Sequence, residues 1–244
     1  MESSSETAVP ARNDDRVLVI MAKAPRPGAV KTRLTPSLPV EAVVAFYGCL
    51  LGDTLALARS LDGVEIAVIC PDSDVNELAR LAGPGAHVVA QKGEGLAAGL
   101  TSVFGHFAVG HQRRIVAFNS DSPHLPTSVL EEAFETLAAH DLVVGPTYDG
   151  GYYLVGAKAS HPTLFTGGGI GTSSALERLL SRAGALELRV GFADPFYDID
   201  VVEDLIRLAA ELQRARTLAP QTAVWLEQWG GDAVTQLRTG TGNL

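Results

Sequence analysis

Four cations crowd one short stretch of this chain. Lys23, Arg26, Lys31 and Arg33 lie around Pro25, Pro27 and Gly28, directly after the apolar run at residues 17–21. The whole chain has only 19 Lys and Arg against 28 Asp and Glu, a net charge of −9, so this loop is a local exception. Arg26 and Arg33 suit bidentate contact with phosphate oxygens, and Lys23 and Lys31 suit point-charge contact. Asp121 ends a second apolar run, in Asn119-Ser120-Asp121-Ser122-Pro123. One carboxylate at a strand tip is the kind of ligand that holds Mg²⁺ against a diphosphate. A plain Asp turn before Ser-Pro has the same composition.

Three further segments have ambiguous chemistry. Asp149-Gly150-Gly151-Tyr152 reads first as a turn, and second as a place where backbone approaches a ligand while Asp149 bonds it. Asp200, in Tyr197-Asp198-Ile199-Asp200, stands where a helix cap belongs, and a carboxylate that caps a helix can still face a metal. Gln91, in Gln91-Lys92-Gly93-Glu94-Gly95, is a candidate reader of a nucleobase edge; a bland polar loop fits equally well. His106 and His111 have no carboxylate partner in sequence and read as surface residues, while His124 follows Asp121 closely.

The elements that must position these residues alternate. Apolar runs at 17–21, 64–70, 86–90, 114–118, 142–145, 152–156 and 186–190 read as strands. Helical patterns fall at 39–61, 74–81, 95–107, 128–139, 172–183, 201–216 and 218–229. Capping boxes are expected at Asp74 with Glu77, Ser128 with Glu131, and Asp200 with Glu203. Such alternation predicts an α/β, Rossmann-like fold with a mostly parallel central sheet and helices on both faces. Right-handed crossovers then put every strand-to-helix loop on one sheet edge, where open α/β sheets bind ligands. The glycine-rich stretch 157–171 reads as a mobile loop over that site.

Bulk properties exclude several classes. A chain of 244 residues, 46% hydrophobic, can bury a core as one domain at 15–217 with a C-terminal helix and polar tail at 218–244. Residues 1–14 are polar, lack the apolar core of a signal peptide, and read as a disordered tail. No apolar run is long enough to span a bilayer, the longest being 42–52. The acidic balance argues against nucleic acid as partner. Cys49 and Cys70 read as free thiols in a reducing, cytoplasmic setting. Val30 precedes Lys31-Thr32, so the first loop is not a P-loop, and there is no G-x-S-x-G or H-E-x-x-H motif.

The segments MAKAPRPGAVKTRLTP (21–36), FNSDSPHLP (118–126), GPTYDGGYYLVG (145–156) and YDIDVVEDL (197–205), in this order, resemble the rSAM/selenodomain-associated transferases. That family lies within the nucleotide-diphospho-sugar transferase superfamily, with the glycosyltransferase A fold. The resemblance covers roughly residues 17–206. It implies a metal-dependent glycosyltransferase taking a sugar from a nucleoside diphosphate sugar to a small acceptor, with Mg²⁺ or Mn²⁺. Lys23, Arg26, Lys31, Arg33 and Gln91 then fall at the nucleotide. Asp121, Asp200 and, on a weaker match, Asp198 fall at the metal. Asp149, Gly150, Gly151 and Tyr152 fall at the substrate, with Asp121 and Asp149 the catalytic pair. The chain departs from the family at Asn119-Ser120-Asp121, with one carboxylate, at Gly93-Glu94-Gly95-Leu96-Ala97-Ala98, and at Ile170-Gly171-Thr172-Ser173. A nucleotidyltransferase acting on a small phosphorylated substrate, and a non-catalytic nucleotide-binding protein, are the alternatives.

Overall fold

The computed structural model describes residues 15–109, 113–166, 168–169 and 171–230. The expected tails at 1–14 and beyond 230, and His111, lie outside the described residues. Among the described residues, seven strands form one sheet in the order β3-β2-β1-β4-β6-β5-β7. They are β1 (Arg16–Met21), β2 (Glu65–Cys70), β3 (Ala86–Ala90), β4 (Arg114–Asn119), β5 (Leu142–Pro146), β6 (Tyr152–Ala157) and β7 (Val190–Phe192). The helices are α1 (Val40–Arg59), α2 (Val75–Ala82), α3 (Gly95–Phe107), α4 (Thr127–Ala139), α5 (Ala175–Ala185), α6 (Val202–Leu212) and α7 (Pro220–Gly230). The sheet is parallel except at β6, which pairs antiparallel with both β4 and β5.

The strand order places the site. From β1 the chain winds outward to β2 and β3, then returns through α3 to set β4 against the other side of β1. The loops after β1 and β4 therefore flank the point where winding reverses, the usual ligand crevice of an open α/β sheet. Because β6 runs backwards, its first residue, Tyr152, lies at the same edge as the last residues of β4 and β5.

Strand alternation feeds two cores. Leu18, Ile20, Val68, Val116 and Phe118 face α1, α2 and α4. Val17, Val19, Ile69, Ile115 and Ala117 face α3 and α5. A third cluster joins α1 to α6 and α7 through Phe46, Leu50, Leu208 and Trp225, with the Phe46 and Trp225 rings 4.8 Å apart. By length and composition α1 could cross a membrane. Here its apolar residues pack on the sheet and on α7, and it buries Asp53, whose carboxylate accepts bonds from the Gln221 and Thr222 N–H groups. Those two bonds satisfy donors in the first turn of α7.

Several expected features form differently. None of the three capping boxes forms at the expected residue. Helix α4 starts at Thr127, after Pro126. Asp74 stands at the start of α2, but its carboxylate is spent on the first loop. At α6 the accepting carboxylate is Asp204, bonded by the N–H groups of Asp200 and Val201, so the Asp200 side chain is not consumed as a cap. The strand expected at 186–190 lies instead at Val190–Phe192, and α5 begins at Ala175 rather than 172. Within the stretch expected to be mobile, Pro162–Phe165 forms a short 3-10 turn. It is anchored by buried Leu164 and by Phe165 stacked on Phe104.

Candidate functional site

The loop after β1 is held from below. The N–H of Lys23 donates to the Tyr47 hydroxyl at 3.1 Å, and that of Ala24 to Asp74 Oδ2 at 2.9 Å. Tyr47 also bonds Ser120 Oγ at 2.9 Å, tying the loop after β1 to the loop after β4. Burial first, and the nearby Asp121 second, push the Tyr47 phenol up to about 12, so it stays a neutral hydrogen-bonding group. Gly28 turns the loop at φ +73°, a conformation that favours glycine. Lys31 also has positive φ, +46°, at the start of a short 3-10 turn, Thr32–Leu34.

The four loop cations have different partners. Lys31 Nζ lies 3.0 Å from Asp121 Oδ2 and 2.9 Å from Asp200 Oδ1, with its side chain only 3% exposed. Burial lowers the affinity of this amine for its proton, but the two carboxylates outweigh that, and Lys31 titrates above its ordinary value. Arg33 reaches Asp200 Oδ2 at 3.3 Å from a largely exposed position. Lys23 lines the adjoining cleft. Arg26 does not join them: its guanidinium bonds Asp74 at 2.8 Å, Glu77 at 3.0 Å and the Ser73 carbonyl at 3.2 Å. Its role is to pin the loop to α2. The sequence hid this because the two carboxylates lie about fifty residues away.

Asp121, Asp198 and Asp200 form one acidic group, each offering an oxygen within 4.8 Å of the others. The backbone brings them together. Ile199 N–H donates to the Asp121 carbonyl at 3.0 Å, and Ser122 Oγ to the Tyr197 carbonyl at 2.9 Å. Burial, then repulsion from Asp200 and Asp121, raises Asp198 to about 6. Carboxylate oxygens are the donors that Mg²⁺ and Mn²⁺ take, so this set fits such an ion.

Beneath this junction lies His124, buried between the rings of Phe196 and Tyr197 at 4.8 Å from each. Neither ring nitrogen has a hydrogen-bond partner, and the nearest carboxylate oxygen, of Glu211, is 3.6 Å away. Burial lowers the imidazole to about 4, against an opposing pull from Glu211 and a reinforcing push from Arg207. A folded value below the unfolded one means that stability is full above pH 6.5 and falls as pH drops from 6.5 towards 4. The loss reaches roughly 3 kcal/mol. Thermal melts at pH 7 and pH 4.5 should therefore show a steeper acid loss for the native chain than for His124→Leu; equal slopes would exclude His124 as the cause.

Two clefts open on either side of Asp121 and Asp200. The first, of 790 Å³, is lined by Lys23, Lys31, Pro71, Gln91, Ser120 and Asp121 among others. Gln91 lies in it, but its amide Nε2 donates to the Gly93 carbonyl at 2.8 Å, which shapes the 91–95 loop. The second, of 520 Å³, is lined by Arg33, Asp149, Gly151, Tyr152, Thr172 and Asp198 among others. Asp149 Oδ1 accepts bonds from Thr147 Oγ1 and from the Gly151 N–H, and chiefly the Thr147 bond holds its carboxyl below the ordinary value. Asp149 is therefore an ionised hydrogen-bond acceptor. The Tyr152 hydroxyl is buried with no protein partner, and burial raises it to about 12. Tyr47 and Thr147 support the site without standing out in the sequence, and Asp74 stood out only as a helix cap; the apolar pattern of α1 masks Tyr47.

Solved structures at low sequence identity share this fold. A protein from Desulfovibrio desulfuricans G20, provisionally named a nucleotide-diphospho-sugar transferase, superposes with a TM-score of 0.83. It is 24% identical, over 91% of this chain and 98% of that one. The 4-diphosphocytidyl-2C-methyl-D-erythritol synthase of Anaerococcus prevotii DSM 20548 gives 0.57 at 12% identity, over 83% and 97% of the two chains. A CMP:2-keto-3-deoxy-manno-octonic acid synthetase complexed with CTP gives 0.55 at 12%, over 83% and 100%. A family described as an uncharacterized protein conserved in bacteria (DUF2064) matches residues 54–172, which include Asp121 and Asp149 but neither the first loop nor Asp198 and Asp200. Comparison with curated proteins finds no match.

Proposed function

We propose that this chain is a metal-dependent glycosyltransferase that moves a sugar from a nucleoside diphosphate sugar to a small-molecule acceptor. The observation that carries the reading is the meeting of the two clefts at Asp121 and Asp200. The 790 Å³ cleft takes the nucleotide, with Lys23 and Lys31 facing the phosphates and Gln91 beside the base. The 520 Å³ cleft takes the sugar and acceptor, with Arg33 at its rim. Asp121, with Asp200 and Asp198, would hold Mg²⁺ or Mn²⁺. Such an ion, when bound, would supply electrostatic stabilisation of the charge that develops on the leaving nucleotide. Asp149, fixed by Thr147 and Gly151, accepts a hydrogen bond from a sugar or acceptor hydroxyl.

The test is a panel of nucleotide sugars incubated with Mn²⁺ and mixed small acceptors, reading nucleoside diphosphate release. Release that requires both the metal and Asp121 supports the proposal. Pyrophosphate release from a nucleoside triphosphate would replace it with nucleotidyl transfer. Nucleotide binding without turnover across the panel would replace it with a binding role.

A further inference from the structure

Lys31 sits where its charge competes with a metal. Its ammonium contacts an oxygen of Asp121 and one of Asp200, two of the three carboxylates in the acidic group. Asp200 gives its other oxygen to Arg33. Lys31 also lines the 790 Å³ cleft. One flexible side chain thus stands between the carboxylates and the space assigned to the phosphates, and can neutralise either. At these separations two cations sharing the same oxygens repel, so ammonium and divalent ion compete there.

Resting on the glycosyltransferase reading, we infer that Lys31 is a tethered counter-ion that makes divalent metal and nucleoside diphosphate bind interdependently. In the free protein its ammonium occupies Asp121 and Asp200 and weakens metal binding. An arriving diphosphate gives the ammonium new oxygen partners in the cleft, which releases the two carboxylates to a metal. Linkage then requires each ligand to tighten the other by the same factor, on the order of tenfold.

The experiment measures Mn²⁺ affinity by the paramagnetic resonance of free Mn²⁺. It uses the full chain alone, and with whichever of ADP, CDP, GDP or UDP raises its melting temperature most. Expected is weak Mn²⁺ binding alone and binding about tenfold tighter with the nucleotide. Lys31→Met should bind Mn²⁺ alone about tenfold more tightly than the native chain and lose most of the nucleotide effect. If Lys31→Met fails to fold, the native titration decides: an Mn²⁺ affinity that the nucleotide leaves unchanged overturns the inference. A folded Lys31→Met that binds Mn²⁺ alone no better than the native chain also overturns it, and leaves a metal-dependent nucleotide site standing. Absence of Mn²⁺ binding to either protein, with nucleotide present, overturns the metal reading together with the inference.

Discussion

Asp121→Asn should abolish transfer while leaving the fold in place. The Asp121 side chain is 26% exposed, and what stitches its loop to the 197–200 segment is its backbone carbonyl, which the substitution keeps. The lost group is one anionic oxygen pair facing Lys31, Asp198 and Asp200. Removing Asp121 takes one member from a three-carboxylate set and leaves Lys31 with Asp200 alone. Electrostatic groups aimed at developing charge are worth about 10²–10³ in turnover each, and the loss here should lie at the upper end. Steady-state assay and a thermal melt together check it. Turnover within tenfold of the native chain would mean that Asp121 is no more than a turn former.

Gly150→Ala should be strongly destabilising for the addition of one methyl group. Gly150 has φ +89°, where an L side chain is strained. A Cβ there would overlap the backbone carbonyl oxygen of Ser173, and backbone cannot swing aside as a side chain can. The same residue accepts a hydrogen bond from the Leu176 N–H at 3.0 Å, which fastens the start of α5 to the 147–151 turn. Backbone strain and overpacking each cost about 1–3 kcal/mol, so a total of roughly 3 kcal/mol is expected, or about 6–12 °C in melting temperature for a chain this size. Asp149 would move with the turn, so turnover should fall as well. Gly28→Ala is the comparison: its φ is +73°, but nothing lies within 4 Å of the added carbon. It should cost only the backbone term, about 1–2 kcal/mol. Equal effects from the two substitutions would contradict the packing described at Ser173.

Much of this architecture was legible from periodicity. The strand at 86–90 and the helix at 95–107 appear with the bounds that their apolar spacing gives. The reversed strand β6 was not legible, because a run such as Tyr152–Ala157 has no direction until its partners are known. The chemistry followed the same division. Types and spacing brought Lys31, Asp121 and Asp200 to one sheet edge, and the structure puts them in contact. They could not show that Arg26 is taken by Asp74 and Glu77, a pairing made by folding alone. Asp204, a helix residue four positions past Asp200, accepts the Asp200 N–H that the expected box gives to Glu203. Short-range capping rules rank candidates by type, and at α6 two carboxylates qualified.

The most direct measurement is a crystal of the full chain grown with Mn²⁺ and a nucleoside diphosphate, with the metal located by its anomalous signal. The account predicts one Mn²⁺ ligated by Asp121 and at least one of Asp198 and Asp200. The phosphates would lie between that ion and Lys23 and Lys31, and the base beside Gln91. Nucleotide bound elsewhere, or phosphates in the cleft with no Mn²⁺ at Asp121, would contradict it.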